Sequence, residues 1–286
     1  MNTSVPSDAA YSMLGKQAIY QDTYAPELLF PIARQGKRSE LGLCADTLPF
    51  VGEDLWNAYE LSWLDLRGKP VVALARFRVP ASSPNLIESK SLKLYLNGFN
   101  QERMPGLDAV RETIGNDLSA VAGETVTVEI LPLGMQLVRR FADPKGFCLD
   151  GLDIDINTYR LCPDVLRAGG GQVTETLYSH LLKSNCPVTR QPDWGMLAVR
   201  YSGPAIERAA LLRYIVSFRQ HEEFHEQCVE RVFCDILKRC SPTALAVWAR
   251  YTRRGGLDIN PFRSTPLNQG EEGSDGWDDG NSEIRQ

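Results

Sequence analysis

An α+β architecture in which one module occurs twice is the fold class this sequence predicts. Three observations carry it. Strand-like and helix-like runs interleave along the chain, two stretches 119 residues apart repeat one another, and a segment rich in Asp, Gly and Pro within 140–175 separates the copies. Set IESKSLKLYLNGFNQ (87–101) against IERAALLRYIVSFRQ (206–220). Ile87, Glu88, Leu92, Tyr95, Phe99 and Gln101 coincide with Ile206, Glu207, Leu211, Tyr214, Phe218 and Gln220 at that single offset. Upstream, LARFR (74–78) resembles LAVRY (197–201), with a shorter connection in the second copy. Self-similarity of this kind marks a tandem duplication.

The elements follow in chain order. Residues 1–40 mix Pro, Gly, Tyr and charge without a period, which predicts an N-terminal arm lying on the core. The first module is assigned to 41–150. In it, VVALARFRV (71–79) and SLKLYLNGF (91–99) read as strands joined by a turn-rich piece holding Pro80 and Pro84. LDAVRETIGNDLSAV (107–121) reads as a helix and TVTVEILPL (125–133) as a strand. The second module, 175–264, offers GMLAVRYS (195–202) and ALLRYIVSF (210–218) as strands. A helix over EEFHEQCVERVFCDILKR (222–239) and a strand over TALAVWARYT (243–252) follow. Phe224, Cys228, Val232 and Leu237, with neighbours at three- and four-residue spacing, give that helix its apolar face. Hairpins interleaved with helices predict antiparallel sheet with helices on one face, built twice. Residues 265–286 are poor in aliphatics and rich in Gly, Ser and Asp, the composition of a disordered acidic tail.

Composition excludes several function classes. The net charge is −5, and six acids against one arginine in 266–286 account for all of it. The body is close to neutral, so no basic field points to direct nucleic-acid binding. No stretch approaches the run of about 18 apolar residues that a membrane span needs, and the start lacks a basic flank followed by an apolar run. Seven cysteines, odd in number and without a CxxC pair, point to free thiols in a reducing compartment. A cytoplasmic location is therefore expected.

Three motifs carry the candidate chemistry. HEEFHE (221–226) spells H-E-x-x-H, in which two histidines one helical turn apart bind zinc. A zinc site needs a third ligand; His180 lies far upstream, no H-x-x-G-x-x-H continuation follows, and the letters fall at a helix start. The same letters also read as an imidazole for proton traffic, His225, beside a carboxylate, Glu226, able to accept from the N–H edge of a purine-like ring. In SNCPVTRQPDWG (184–195), Cys186 precedes Pro187, which biases its backbone towards extension. A thiol at such a turn, with Arg190 nearby in sequence, has a route to thiolate. Asp193, between Pro192 and Trp194, is a candidate proton donor. The alternative for the pair is a buried structural cysteine and an ordinary turn aspartate. ESKSLK (88–93) and YTRRGGLDINPFRS (251–264) supply Lys, Ser, Arg and Gly that could hold dinucleotide phosphates. No G-x-G-x-x-G turn accompanies them, so a nucleotide would be held without a Rossmann unit.

Taken together, ESKSLKLYLNGFNQ, SNCPVTRQPDWG, FHE and YTRRGGLDINPFRS resemble the signatures of the QueF nitrile reductases in their two-module form, and LGKQAIYQDTYAPELLFPIAR resembles the start of that form. The similarity runs from about residue 14 to 264. It implies tandem tunnelling-fold modules, a homodimer, and reduction of 7-cyano-7-deazaguanine to the primary amine with two NADPH in queuosine biosynthesis, with no metal. Carried over residue by residue, Cys186 is the expected nucleophile, forming a covalent thioimide, and Asp193 the expected proton donor. His225 and Glu226 are expected to bind substrate, together with Ile87, Glu88 and Ser89 of the first module; beside what the resemblance implies, Phe224 is a candidate to stack on the flat heterocycle, with core packing as its alternative. Ser89, Lys90, Arg254 and Gly255 are expected to contact NADPH. Two rival expectations stand beside it: a zinc-dependent hydrolase of the cyclohydrolase kind, and a non-catalytic tandem module that binds a purine- or pterin-like ligand.

Overall fold

The computed structural model describes residues 22–134, 141–266 and 285–286. Residues 1–21 of the expected arm and 267–284 of the expected tail lie outside the described residues. The chain divides into two compact units. Of the described residues, one unit gathers 22–40, 54–134 and 253–258, the other 41–53, 141–252, 259–266 and 285–286.

In the first unit, β1 (Pro31–Ala33) and the helix α1 (Gln35–Glu40) open the described chain. β2 (Val51–Leu64) and β3 (Pro70–Pro80) follow, then β4 (Asn85–Ile87), α2 (Ser89–Asn97), α3 (Leu107–Ala122) and β5 (Thr127–Pro132). β5, β3 and β2 are neighbours in that order, and β1 pairs antiparallel with β4. β3 obeys the two-residue period: Ala73, Ala75, Phe77 and Val79 are buried. α3, which packs on β5, buries Val110, Ile114, Leu118 and Ala122 at helical spacing and ends on the left-handed Gly123. The part of the arm that is described does not run free. The Tyr24 ring packs tilted against Tyr95 and edge-to-face with Phe99, and its hydroxyl donates to Asp117 at 2.7 Å.

The second unit holds β6 (Phe147–Cys148), β7 (Ala168–Asn185), β8 (Pro192–Ile206), α4 (Arg208–Ser217), α5 (His225–Cys240), β9 (Ala244–Tyr251) and β10 (Leu257–Ser264). Its strands run in the order β10-β9-β8-β7-β6. The pairs β7–β8, β8–β9 and β9–β10 are antiparallel as expected, whereas the short β6 lies parallel to β7. Consecutive buried residues Met196 to Val199 show that β8 is covered on both faces. α5 packs on β8 and β9, and α4 on β7 and β8.

Two expected strands are helices. SLKLYLNGF and ALLRYIVSF form α2 and α4, each followed by a short 3-10 turn. Leu92, Leu94 and Leu96 alternate in sequence, but the residues α2 buries are Ser91, Leu92, Tyr95 and Leu96, one helical stripe that Phe99 continues into the turn. The Glu88 carboxylate fixes the start by accepting from the Lys90 and Ser91 backbone N–H groups, each at 2.8 Å. The helix over 222–239 begins later than expected, at His225, because 221–224 are non-helical.

The duplication is physical as well as textual. Tyr95 donates to Asp117 at 2.6 Å and Tyr214 to Asp235 at 2.6 Å. Tyr95–Phe99 and Tyr214–Phe218 are both edge-to-face at 5.4 Å. The bridge Leu64–Arg103 in one unit matches Asn185–Glu222 in the other.

Candidate active site

In the second unit the β7–β8 hairpin closes over residues 186–191. The Cys186 N–H donates to the Gln191 carbonyl at 2.9 Å, and the Arg190 N–H returns to the Cys186 carbonyl at 2.9 Å. Arg190 takes a left-handed conformation, φ 57°, to make the reversal. Its guanidinium turns outward and lies 3.5 Å from Glu222, with the side chain 80% exposed. The proline-led turn is as expected; Arg190 does not face inward as a partner for the thiol.

Ser184 and Asp193 are partners across the ladder. Side chains two apart on a strand share a face, so the ladder carries Cys186 to the same face as Ser184, diagonal to Asp193. Cys186, Ser184 and Asp193 are all buried. The Asp193 carboxylate lies 3.4 Å from His225 Nε2. The His225 ring in turn stacks on Tyr251 of β9, centroids 3.9 Å apart and planes 14° from parallel. Cys228, one turn along α5, lies beside the Ser184 and Tyr251 hydroxyls, and burial pushes its thiol and the Tyr251 phenol well up from their ordinary values. Among the described residues, the buried His225 Nδ1 has no hydrogen-bond partner, whereas the Ser184 and Tyr251 hydroxyls lie within reach of each other and of the Cys228 thiol. A buried imidazole nitrogen left unpaired beside this group marks a place suited to receive a polar group.

HEEFHE resolves into six different jobs. His221 lies outside α5, as the residue ending a 3-10 turn, while His225 is its first residue. The two imidazoles therefore do not sit one turn apart on a helix, and His221 Nε2 faces Glu223 at 2.8 Å instead. Glu222 is exposed beside Arg190. Glu223 is buried and takes Arg231 Nε at 2.9 Å. Burial alone would raise its pKa, but the Arg231 and His221 contacts outweigh that and hold it at about 2. Phe224 is the N-cap residue, half-buried, its N–H donating to Gln227 Oε1 at 3.2 Å. Glu226, in the first helical turn, is buried.

The other expected residues fall in the first unit. Ile87 ends β4 and is buried. Glu88 is 1% exposed, and burial lifts its carboxyl above the usual range against the pull of the Lys90 and Ser91 backbone N–H groups and of the Lys90 and Arg254 charges. Arg254 is thus an electrostatic neighbour of Glu88. Ser89 and Lys90, half-buried, occupy the first turn of α2, whose free N–H groups Glu88 already engages. Gly255 is left-handed, φ 62°, and nothing lies within 4 Å of where a side chain would begin. Ser184, Tyr251 and Cys228 carry no periodic signal that marks them, and the sequence reading missed them as members of the Cys186 group; only the adjacency of Ser184 and Tyr251 to motif ends hinted at it.

Two copies of an α+β unit, the second carrying a thiol, a carboxylate and an imidazole at the closed end of its hairpin, place the chain in the class of tandem tunnelling-fold proteins. Residues 20–130 match the family described as nitrile reductase, 7-cyano-7-deazaguanine-reductase N-term, and 192–269 the family described as QueF-like protein. The NADPH-dependent 7-cyano-7-deazaguanine reductase of Azoarcus sp. (strain BH72) is 69% identical over 91% of this chain and 93% of its own. The enzymes of that name from Aromatoleum aromaticum and Dechloromonas aromatica are 65% and 61% identical, covering 93% and 92% of this chain and 95% and 93% of theirs. This chain belongs to the QueF family of NADPH-dependent 7-cyano-7-deazaguanine reductases.

Proposed function

We propose that this chain reduces 7-cyano-7-deazaguanine to 7-aminomethyl-7-deazaguanine, an oxidoreductase step of queuosine biosynthesis, through a covalent thioimide on Cys186. One observation carries the assignment of roles: Cys186 stands at the end of a hairpin whose ladder sets Asp193 diagonal to it, with His225 3.4 Å beyond. The Cys186 sulfur adds to the nitrile carbon while Asp193 delivers a proton to the nitrile nitrogen, converting an unreactive triple bond into a C=N unit. His225, in contact with Asp193 and stacked on Tyr251, replaces that proton. The first hydride gives a hemithioaminal on Cys186; the carbon–sulfur bond then breaks, the thiolate is regenerated, and the imine left behind takes the second hydride and a proton to become the amine. Glu226 accepts from the guanine-like N–H edge and Phe224 covers the ring face; Ile87, Glu88 and Ser89 also serve substrate binding.

NADPH, when bound, supplies the two hydrides. Its phosphates fit the charge and hydroxyl donors of Arg254, Lys90 and Ser89, and the open approach to the Gly255 backbone suits a close contact. Because Glu88 engages the N–H groups that open α2, side chains rather than a backbone cradle hold the phosphates. We assign no metal to this reaction. The protein acts as a homodimer in the cytoplasm. Seven free thiols suit a reducing compartment, and among the described residues no helix is long and apolar enough to cross a membrane.

The test is intact-protein mass spectrometry with 7-cyano-7-deazaguanine and no NADPH. One substrate mass is added to the wild type and none to Cys186→Ala. With NADPH, two equivalents are oxidised per amine formed. An unmodified thiol at saturating substrate removes the proposed nucleophile.

A further inference from the structure

We propose that Cys148, Asp150 and His180 form a binding site for one zinc-class divalent transition metal ion, separate from the residues assigned to nitrile reduction. The site is assembled by the short strand β6. Cys148 lies opposite Tyr178 in the parallel β6–β7 pair, and Leu149 N–H donates to the Tyr178 carbonyl at 2.8 Å. The chain then turns, Leu152 N–H returning to the Leu149 carbonyl at 3.1 Å, and carries Asp150 back towards His180 on β7. One sulfur, one carboxylate oxygen and one imidazole nitrogen from these three residues all lie within 4.8 Å of one another. Tetrahedral zinc with bonds of about 2.0–2.3 Å spaces its ligand atoms about 3.4–3.8 Å apart, so separations of up to 4.8 Å need to close by only about 1 Å, while Asp150 and His180, 2.8 Å apart, open slightly to admit the ion.

The surroundings match a metal site in three further respects. Asp150 is fixed before any ion arrives: Ser179 Oγ donates to it at 2.6 Å and the His180 N–H at 3.2 Å. His180 Nδ1 lies 2.8 Å from Asp150 Oδ2, while Nε2 lies 3.0 Å from Asp143 Oδ1. An ion that takes Nδ1 displaces a proton there and leaves Nε2–H donating to Asp143, the carboxylate–histidine–metal arrangement that sets tautomer and ring direction. A thiolate and a carboxylate together neutralise a dication, and the thiolate selects zinc or cobalt over magnesium or calcium. Side-chain exposures of 24% for His180 and 26% for Asp150 leave an entry path and room for a water as fourth ligand.

The full-length chain, stripped with chelator, is titrated with Co²⁺ and followed by absorption, then by Zn²⁺ competition. One Co²⁺ per chain with a sulfur-to-cobalt charge-transfer band is expected, bleached by stoichiometric zinc. Cys148→Ser and His180→Gln lose the band, Cys186→Ala keeps it, and Asp143→Asn keeps it with affinity about 10–100-fold weaker. Metal-free melting temperatures of the variants separate lost ligation from lost folding. No saturable band in the wild type, or a band that survives Cys148→Ser in a folded protein, overturns the site and leaves a histidine hydrogen-bonded between two aspartates. Thioimide formation on Cys186 is read separately by mass, so failure of either assignment is visible without the other.

Discussion

At the scale of single residues, the Tyr251 ring sets what His225 can do. The imidazole lies flat on the phenol at 3.9 Å, which leaves Nε2 turned to Asp193. In the proposed mechanism Tyr251 serves as a positioning residue, acting through His225. Stacked aromatic pairs contribute roughly 0.5–1.5 kcal/mol beyond their area, a factor of up to about ten in rate if the whole effect falls on the transition state. Tyr251→Leu is therefore expected to lower kcat about tenfold with little change in KM for NADPH, whereas Tyr251→Phe keeps the stack and most of the rate. Steady-state kinetics on both, with melting temperatures as the control, decide it; a Leu variant that loses only stability removes the positioning role. Asp193→Asn is expected to slow adduct formation on Cys186 far more than it weakens NADPH binding, and equal losses in the two measurements would count against proton donation.

At the scale of elements, the start of α5 depends on Glu223. This buried carboxylate precedes the helix and grips Arg231 within it, tying the non-helical 221–224 segment to the second turn. Its carboxyl is held at about 2 against an ordinary 4.5. A depressed acid contributes stability that is complete above the unfolded value and is lost as pH falls through the folded one. The shift corresponds to ~3 kcal/mol, present at neutral pH and fading between about pH 4.5 and 2. Glu223→Gln is expected to cost about 3 kcal/mol at pH 7 and to flatten the stability curve across that window. Urea unfolding at pH 2.5, 4.5 and 7 measures both, and a variant with undiminished acid sensitivity places the effect on other carboxylates. This anchor also marks where sequence reading stops. β3, β5, β9, α3 and the body of α5 were legible because their apolar periods are unambiguous. α2 was not, because Leu92, Leu94 and Leu96 alternate like a strand while a cap formed by Glu88 commits the chain to a helix. As candidates, Cys186, Asp193 and His225 were legible through motif order. Their partners Tyr251, Ser184 and Cys228 were not, because strand register and packing, rather than spacing in sequence, gather them.

At the scale of the whole molecule, the chain repeats one structural solution and reserves chemistry for the variable positions. Each unit has a helix opened by a glutamate, a buried tyrosine donating at 2.6 Å to an aspartate of the next long helix, and a phenylalanine edge-on to that tyrosine. The shared parts are scaffold: the tyrosine–aspartate bond joins consecutive helices in both copies. The copies differ in how well that bond is backed. Asp117 also accepts from Tyr24, whereas Asp235 is partly desolvated, its carboxyl lifted by burial against the opposing pull of Tyr214 and Arg231. Removing a hydroxyl that bonds a charged acceptor costs about 1.5–3 kcal/mol. Tyr214→Phe is therefore expected at the upper end of that range and Tyr95→Phe at the lower end. Because the two tyrosines bond different acids, the double variant should lose the sum within about 0.5 kcal/mol. Chemical denaturation of the three variants reads all of this at once. A Tyr95→Phe loss exceeding that of Tyr214→Phe would mean that Tyr24 does not back the first copy, and with it that the described arm residues add nothing to the repeat they lie on.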